Sequence, residues 1–340
     1  AHYISVDALA FNSKGNILAS VGCDSKMRGK TYLESLKDSI SISPFDLNYN
    51  EFNAIKIWDI KNRKLTATFE NRSPVRYIVF ETHSDSLLFA DDKKNIVLLD
   101  YRTNKAVKLQ EGMGPLLFLP DDRSFLFQDQ AYSIKQYDID KKSIIAEFKG
   151  HTDKITSAVL IQNGQRLVTG GWDGTLKFWD VLKGNEIVTL YAINTNDFLI
   201  KTPDNYYFAT KNAVSEIGFT FGMKFYPFEQ FDLKYNRPDL VLRQLGNTSE
   251  ELLAAYYRDY QKRIKKLGFT EEMLSADFHV PEITIANQEA IEPVTDKRNL
   301  VLKISARDTK YPLDRINVWI NDVALFGRNG LDRRSSQSQS

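Results

Sequence analysis

Residues 167–180 read Leu-Val-Thr-Gly-Gly-Trp-Asp-Gly-Thr-Leu-Lys-Phe-Trp-Asp, and this stretch decides the fold. A glycine-rich turn separates two short runs, and the second run ends in Trp179-Asp180 before another polar turn. Alternation of apolar and polar residues over about five positions between turn clusters is typical of a β-hairpin. The stretch therefore predicts two antiparallel strands of a larger sheet.

The same ending recurs three times earlier in the chain. An aromatic or apolar residue followed by aspartate closes four similar strands, and the aspartates are Asp59, Asp100, Asp138 and Asp180. They lie 41, 38 and 42 residues apart. A period of about 40–45 residues is typical of propeller blades, each of which must pack against its neighbours to hide its apolar faces. The chain is therefore expected to be an all-β array of blades.

The fourth unit is the most complete, and it resembles the WD-repeat family. A histidine opens it, an apolar inner strand and an Asn-Gly turn follow, and Trp-Asp closes it. In that family a His, an Asp in the tight turn, a Ser or Thr and the strand Trp are joined by hydrogen bonds. The resemblance gives these structural roles to His151, Asp173, Thr169 and Trp179. Such partners suit a buried imidazole, because buried polar groups are almost always hydrogen-bonded.

The other units are less complete. The first has His2 and Trp58 and carries an insertion at 24–54, whereas the two middle units lack both the His and the Trp. A fifth, degenerate unit is expected at 198–208, where the closing Trp-Asp is missing. Four clear blades and one degenerate blade make a short array, so we expect an incomplete WD-type β-propeller ring whose missing blades belong to a longer parent protein.

The pattern changes after the blades. We expect blades over residues 1–246, a helical connector over 247–276, a small, incomplete β-sandwich-like region over 277–328 and a disordered tail over 329–340. The connector is expected to begin at a capping box in which Thr248 is the cap and Glu251 returns to it. Apolar residues at helical spacing follow, and Gly268 ends the helix.

A second resemblance covers residues 197–326. It is carried by aromatic, proline and glycine positions in a fixed order, including Thr202-Pro203-Asp204-Asn205-Tyr206-Tyr207, Phe221-Gly222, Phe228-Glu229-Gln230-Phe231-Asp232 and Tyr235-Asn236-Arg237-Pro238-Asp239. Together with the preceding blades, this series resembles the junction in bacterial caspase-family (metacaspase-like) proteins that carry WD repeats ahead of the peptidase domain. The resemblance implies a non-catalytic, regulatory portion of such a protease, with a caspase-like domain as an intramolecular partner in the parent protein. No such domain lies in this sequence, and Cys23 belongs to the first blade rather than to a Cys–His dyad.

Composition argues against several classes of partner. The 45 Lys and Arg residues almost balance the 44 Asp and Glu residues, which gives a net charge of +1. A near-neutral chain has no overall field to attract nucleic acid or an anionic membrane. One cysteine and four scattered histidines make neither a disulfide framework nor a metal site, and no cofactor motif is present. The expected location of the protein is the cytoplasm.

The leading functional hypothesis is a non-catalytic protein-interaction or sensing scaffold, with an unknown protein partner. The insertion lies between the second and third strands of its blade, on the same rim as the histidine-bearing loops, and its candidate partner-binding residues are Arg28, Tyr32, Phe45, Tyr49 and Phe52. The alternatives are a propeller that binds a small molecule or glycan in its central channel, and a purely structural spacer. A dyad of His151 and Asp173 with Thr169 as nucleophile, and a reactive Cys23, are weaker alternatives. The basic helix face of residues 258–266 most simply contacts solvent.

Overall fold

A computed structural model describes residues 5–26, 50–214, 216–221, 223–228, 231–275, 281–292, 294, 299–320, 323–326 and 330–332. The chain divides into two compact units, Ala1–Gly268 and Phe269–Ser340. The first unit contains the blades and the main helices.

Four antiparallel sheets follow one another in the first unit, and the strands of each sheet are paired in chain order. Blade 1 contains β1 (Ala8–Phe11), β2 (Ile17–Lys26), β3 (Asn50–Asp59) and β4 (Lys64–Asn71). Blade 2 contains β5 (Val75–Phe80), β6 (Ser86–Asp91), β7 (Asn95–Asp100) and β8 (Lys105–Glu111). Blade 3 contains β9 (Met113–Phe118), β10 (Ser124–Gln128), β11 (Ile134–Asp138) and β12 (Ser143–Phe148). Blade 4 begins with β13 (Ile155–Ile161), β14 (Arg166–Gly171), β15 (Thr175–Asp180) and β16 (Asn185–Ala192).

Trp58 and Trp179 occupy matching places in blades 1 and 4. Trp58 lies opposite Leu18, and Trp179 lies opposite Leu167, and a register shift falls directly before each tryptophan. Each indole Nε1 donates a hydrogen bond of 2.8 Å to a hydroxyl on the neighbouring strand, Ser20 in blade 1 and Thr169 in blade 4. The prediction of an all-β fold built from WD-type blades is confirmed.

The hydrophobic cores lie between the blades rather than inside them. We call the face of a blade that looks toward the blade before it the preceding face, and the opposite face the following face. The following face of each blade packs on the preceding face of the next, and the first strands of successive blades lie side by side. Leu87, Phe125 and Leu167 are completely buried at the three interfaces. Each sheet is therefore stable only through its neighbours.

The predicted fifth blade is corrected by the structure. Its strands, β17 (Phe198–Lys201) and β18 (Tyr207–Ala209), pair onto β16 and extend blade 4 to six strands. The β17–β18 hairpin pairs with the outer edge of β16 and so satisfies its backbone groups. In blades 1 to 3 the fourth strand is the outermost strand of the sheet. Residues 198–209 therefore extend the fourth blade and do not form a separate sheet.

Helices follow the last hairpin. They are α1 (Lys211–Val214), α2 (Asp232–Tyr235), α3 (Pro238–Leu245) and α4 (Glu250–Leu267), and the hairpin of β19 (Gly218–Phe221) and β20 (Lys224–Pro227) lies between α1 and α2. The predicted helix is α4, and Gly268 ends it at a left-handed φ of 78°. Its cap, however, is Ser249, whose hydroxyl accepts a hydrogen bond from the Leu252 N–H, so the prediction of Thr248 was one residue early. Helix α3 packs on the following face of blade 4 through Val241 and Leu245.

The insertion in blade 1 begins later than its predicted bounds of 24–54. Strands β2 and β3 continue their ladder as far as the pair Lys26 and Asn50. Residues 27–49 of the predicted insertion lie outside the described residues.

The second unit contains a short helix, α5 (Glu271–Ser275), and small antiparallel ladders. The first ladder pairs β21 (Glu282–Ile285) with β22 (Ile304–Arg307), with a 3-10 turn at Gln288–Ala290 between them. The others pair β23 (Arg315–Ile316) with β26 (Leu331–Asp332), and β24 (Trp319–Ile320) with β25 (Val323–Ala324). The described strands of this unit thus pair as two-stranded ladders.

Candidate functional site

A buried polar network joins the four residues that the WD resemblance singles out in blade 4. His151 opens the blade, Thr169 lies in β14, Asp173 lies in the β14–β15 turn and Trp179 lies in β15. The His151 ring contacts an Asp173 carboxylate oxygen through Nδ1 and the Thr169 hydroxyl through Nε2, both at 2.7 Å. The Thr169 hydroxyl also accepts the Trp179 indole N–H at 2.8 Å. The structure brings all four side chains together.

The direction of each hydrogen bond in the network follows from its donors. The Trp179 N–H can only donate, so the Thr169 oxygen accepts it and the Thr169 O–H is directed at Nε2 of His151. Nε2 is then an acceptor, and Nδ1 carries the proton that is donated to Asp173. Burial lowers the pKa of the His151 imidazole below its ordinary 6.5, and this effect outweighs the opposing attraction of Asp173. The imidazole is therefore neutral.

Asp173 is held as a carboxylate by several donors. Burial alone would raise its pKa, but the Thr175 hydroxyl, the Thr152 N–H, His151 and the Thr175 N–H together lower it. This carboxylate ties the β14–β15 turn to the start of β15 and to the loop before β13. The position is therefore a structural acceptor.

The geometry argues against the alternative that these groups form a catalytic dyad. Thr169 is completely buried, and its hydroxyl is already engaged by both Trp179 and His151. A nucleophile must meet a substrate, and this hydroxyl is closed off from solvent. The network instead fixes the blade.

The four repeat aspartates have a shared role in turns. The carboxylates of Asp59, Asp100, Asp138 and Asp180 each accept the backbone N–H three residues later, at 2.8 to 3.1 Å. The next residue in each turn has a left-handed backbone, with φ between 50° and 71°, at Arg63, Asn104, Lys142 and Gly184. The hydrogen bond from the Lys141 N–H lowers the pKa of Asp138, and burial opposes it only partly. The repeated aspartate therefore closes the turn between the third and fourth strands.

The upper rim is the edge of the array where the second strand of each blade turns into the third. Trp172 in the β14–β15 turn is 69% exposed, and Tyr132 in the β10–β11 turn is 37% exposed. The Lys154 ammonium lies 5.3 Å from the centre of the Trp172 ring. In blade 2, Arg76 makes a two-pronged hydrogen bond to Asp92 at 2.9 Å. Exposed aromatic side chains beside cations are common in protein contact surfaces.

The predicted partner-binding residues lie on the insertion, which leaves blade 1 at this same rim. Arg28, Tyr32, Phe45 and Tyr49 lie outside the described residues. Phe52 belongs to β3, where it pairs with Asp24, and its side chain is likewise outside the described part of the chain. Cys23 is half-buried in β2, and its N–H donates to the Ser5 hydroxyl at 3.3 Å.

Buried lysines are a feature that sequence reasoning missed. Lys177 is nearly buried, and its ammonium donates to Glu186 at 2.9 Å and to Thr189 at 2.7 Å. Lys135 holds the same place in blade 3, where it pairs with Glu147 and Asp129. The signal was available, because a lysine stands two residues before the closing aromatic residue at Lys56, Lys135 and Lys177. Lys135 and Lys177 form structural ion pairs.

A cleft of about 380 Å³ lies beside the outer strands of blade 4, where helix α3 ends. Arg166, Asp180, Lys183 and Asp204 line it, and Arg166 donates to the Gln244 carbonyl at 3.2 Å. The lining residues come from the start of β14, the end of β15, the start of β16, the β17–β18 turn and α3. Among the described residues, no cluster of His, Cys, Asp and Glu could hold a metal ion. No helix in that part of the chain is long and apolar enough to cross a membrane.

Residues 142–180 match the family model "WD domain, G-beta repeat". The match begins one residue before β12, the last strand of blade 3, and ends at the aspartate of β15.

Several curated proteins are similar to parts of the chain. Transcription factor unc-37 of Caenorhabditis elegans is 27% identical over 150 residues, which are 39% of this chain and 24% of that protein. The U3 small nucleolar RNA-associated protein 21 homolog of Schizosaccharomyces pombe is 28% identical over 188 residues, 55% of this chain and 16% of that protein. Small ribosomal subunit protein RACK1 of Neurospora crassa is 26% identical over 132 residues, 36% of this chain and 41% of that protein. The chain thus covers less than half the length of each of these relatives.

The C-terminal WD40 domain of Sif2 is a similar solved structure. It is 15% identical, with a TM-score of 0.41, and the match covers 62% of this chain and 56% of that one. The family match and the paired sheets together identify residues 142–180 as a WD repeat in an array of WD40 propeller-like blades.

Proposed function

We propose that this chain is a non-catalytic protein-interaction scaffold that presents its upper rim to a protein partner. The observation that carries the proposal is the contrast between buried and surface side chains at that end of blade 4. His151, Asp173 and Thr169 are buried and satisfied, so they hold the blade together. Trp172 and Lys154 are stacked on each other at the surface, available to a partner.

The insertion extends the same surface in the proposal. It leaves blade 1 between β2 and β3, which is the strand connection that carries Trp172 in blade 4. Arg28, Tyr32, Phe45, Tyr49 and Phe52 supply the residue types that dominate binding energy at protein interfaces. A partner that contacts both would span the rim.

The experiment compares the chain with a double variant, Trp172→Ala with Lys154→Ala, and a variant in which residues 27–49 are replaced by a short turn. Partners are captured from the native host by crosslinking and identified by mass spectrometry, and the affinity of each purified partner is then measured. We expect at least about a tenfold loss of affinity for the rim variant, because a central tryptophan at an interface contributes roughly 2 kcal/mol or more. Leu182→Ala is the matched control, because Leu182 is 94% exposed in the β15–β16 turn, at the opposite rim. Equal affinities of the rim variant and the control would reject the proposal in favour of a structural spacer.

We further propose that the scaffold regulates a caspase-like domain in the same cytoplasmic polypeptide, as in the bacterial proteins that the junction resembles. Support comes from the way the junction residues pack. Arg237 is buried, makes a two-pronged hydrogen bond to Asp239 and lies 4.0 Å from the centre of the Tyr260 ring. Tyr207 donates to Asp232 at 2.8 Å, and Asn236 donates to the same carboxylate. The described motif residues Tyr207, Asp232, Asn236, Arg237 and Asp239 are thus held by specific contacts, which suits a connector to a regulated domain.

The reading frame of the native gene tests this finer proposal. We expect sequence after residue 340 to encode a domain with a Cys and a His at caspase-like spacing. An open reading frame without such a domain would reject the protease assignment, and it would leave the interaction scaffold to be judged by the rim variants.

A further inference from the structure

The outward face of helix α4 carries a row of positive charges. Residues four, seven and eight positions apart lie on one side of a helix, because each residue turns the chain by about 100°. The basic residues at this spacing, which we call the α4 stripe, are Arg258, Lys262, Lys265 and Lys266. All four are exposed, and the buried residues Leu253, Tyr260 and Ile264 lie on the opposite side of the helix.

The sequence of α4 gives the stripe few acidic neighbours. A basic residue in a helix is stabilised by an acid three or four positions before it. Lys262 has such an acid in Asp259, whose carboxylate lies 3.4 Å from the ammonium. Three or four positions before each of the others stands an alanine, a glutamine or a basic residue. Arg258 and Lys262 are instead a like-charged pair four residues apart, as are Lys262 and Lys266, and such pairs destabilise a helix.

Basic residues on the inner side of the connector are used by the fold. Arg263 of α4 donates to Asp232 at 3.2 Å and to the Asn236 carbonyl at 2.6 Å. Arg237 donates to Asp239 at 2.7 Å. The α4 stripe therefore differs from the other cations of this region, because its side chains are directed away from the contacts that hold the connector.

The end of the helix explains only half of the stripe. Cations in the last turn interact favourably with the carbonyl end of a helix. Lys265 and Lys266 lie in that turn, but Arg258 and Lys262 lie one and two turns earlier. The two earlier cations contribute repulsion without this compensation.

The shape of the stripe suits an extended chain better than a flat surface. From Arg258 to Lys266 it is about 12 Å long at 1.5 Å per residue, which matches about four residues of an extended segment. The Asp259 side chain beside it is 71% exposed, and Glu251 is exposed on the same side at the start of the helix. A flat anionic membrane would meet these carboxylates together with the cations.

The aromatic residues of α4 argue against nucleic acid. Single strands bind basic grooves through bases that stack on exposed aromatic rings. Tyr260 is buried, and Tyr256 and Tyr257 are half-buried. The Tyr256 ring lies 5.9 Å from the ring of Phe208, between centres. The tyrosines of this helix are thus engaged on its inner side, and the stripe presents charge without a stacking surface.

We propose that the α4 stripe is a docking surface for an extended acidic segment, rich in Asp and Glu, of a protein partner. The basis is charge complementarity, because carboxylates aligned along the stripe pair with Arg258, Lys262 and Lys266 and relieve both like-charge repulsions. The stripe lies on α4, whereas Trp172 and Lys154 lie in the loops of blade 4. The two surfaces are therefore tested independently of each other.

The probe is a fluorescein-labelled peptide, Gly-Ser-Glu-Glu-Glu-Glu-Ser-Gly, and its binding to the full chain is measured by fluorescence anisotropy at low salt. The stripe variant combines Arg258→Gln, Lys262→Gln and Lys266→Gln, because glutamine keeps the helix propensity of the residues it replaces. The matched control combines Lys14→Gln, Lys64→Gln and Lys105→Gln, which removes the same charge from exposed lysines of blades 1 and 2. Circular dichroism checks that both variants keep their helix content.

We expect the dissociation constant of the peptide to rise at least about fivefold in the stripe variant and less than about twofold in the control. Added salt should weaken binding to the unchanged chain, and the amide NMR signals of residues 258–266 should shift on binding. Equal binding by the stripe variant, or no binding by the unchanged chain at low salt, would overturn the proposal. Tighter stripe-dependent binding of a uridine RNA, or of vesicles of phosphatidylcholine and phosphatidylserine, would overturn it in favour of that occupant.

Discussion

Thr169 is the residue on which the buried network of blade 4 depends. Thr169→Val keeps the shape but leaves the Trp179 N–H and His151 Nε2 without partners inside the blade. We expect a loss of about 2–4 kcal/mol in the free energy of unfolding, because each unsatisfied buried group costs roughly 1–3 kcal/mol. Urea denaturation measures it. Thr66→Val is the matched control, since Thr66 is exposed in β4, and a loss below that of the control would contradict the assigned role.

The protonation of His151 predicts a pH dependence. Its folded pKa is lowered by burial, so below its ordinary value of 6.5 the unfolded chain binds more protons than the folded chain. Stability is therefore complete above about pH 7 and falls as the pH decreases through about 6.5. The raised pKa of Glu81, caused by burial and by Asp122, has the opposite effect at lower pH, so the window above about pH 5.5 is the informative one.

Urea midpoints measured from about pH 5.5 to 8 check this expectation. In His151→Gln the slope below pH 7 should disappear, although the midpoint is lower throughout. A slope that persists unchanged in the variant would assign the effect to another group.

The turns that close each blade predict a reciprocal pair of substitutions. Lys142 has a φ of 54° and Gly184 a φ of 71° at the same place in blades 3 and 4, and nothing lies within 4 Å of a Cβ built at Gly184. We expect Lys142→Gly to stabilise and Gly184→Lys to destabilise, each by about 0.5–1 kcal/mol, because glycine has no steric penalty at positive φ. Thermal unfolding of both variants would show it, and changes of the same sign would refute the explanation.

At the scale of single residues, the sequence predicted the network of blade 4 because its four members stand at recognisable places in the repeat. It did not predict the ion pair of Lys177 with Glu186, since a lysine in a strand is ordinarily a solvent-facing residue. The partner that makes its burial tolerable comes from β16, and the register shift before Trp179 is what brings the two side chains together. Such a shift cannot be read from residue types.

At the scale of elements, the start of α4 predicts a difference between two adjacent hydroxyls. Ser249 has an extended backbone and accepts the Leu252 N–H, whereas Thr248 precedes the cap. Ser249→Ala should therefore cost about 1 kcal/mol, and Thr248→Ala should have a much smaller effect. Helix content and urea midpoints of the two variants test this, and equal losses would restore the cap predicted from the sequence.

The strands themselves were predicted well because alternation and turn residues are local signals. The assignment of residues 198–209 to a separate blade was wrong, because the hairpin has the composition of a new blade but pairs with the last strand of blade 4. Its placement depends on the free edge of β16 and on the apolar surface shared by Ile200, Val188 and Val241. Partner choice of this kind is a tertiary effect.

At the scale of the molecule, the lower turns of successive blades are joined to one another. The Ser13 hydroxyl donates to the Thr82 carbonyl, and the carboxylate of Asp122 accepts the backbone N–H groups of Thr82 and His83 at 2.9 Å. Asp122→Asn keeps one acceptor oxygen at a residue whose φ of 51° suits asparagine. We expect a loss of about 1 kcal/mol and faster hydrogen exchange at residues 81–85. His83→Ala removes an exposed ring whose Nδ1 lies 2.7 Å from the same carboxylate, and an equal effect there would locate the contribution in the imidazole instead.

The four clear blades and the pairing of their strands were predicted from the period of the aspartates, because that period is a property of the whole array, whereas the predicted fifth blade is part of blade 4. Which sheet faces are exposed could not be predicted. Leu9 and Phe11 in blade 1 and Val159 and Leu176 in blade 4 are exposed, and the repeat pattern does not distinguish these positions from buried ones.

The bounds of the matched repeat do not coincide with the bounds of one sheet, and this offset has a consequence for the evolution of such chains. The repeat at 142–180 takes its first strand from blade 3 and its next three from blade 4. When one repeat of the gene is deleted or duplicated, an outer strand is therefore joined again to a complete set of inner strands. Every sheet keeps its full number of strands. An unequal crossover within such a gene can lengthen or shorten the protein without producing an incomplete sheet.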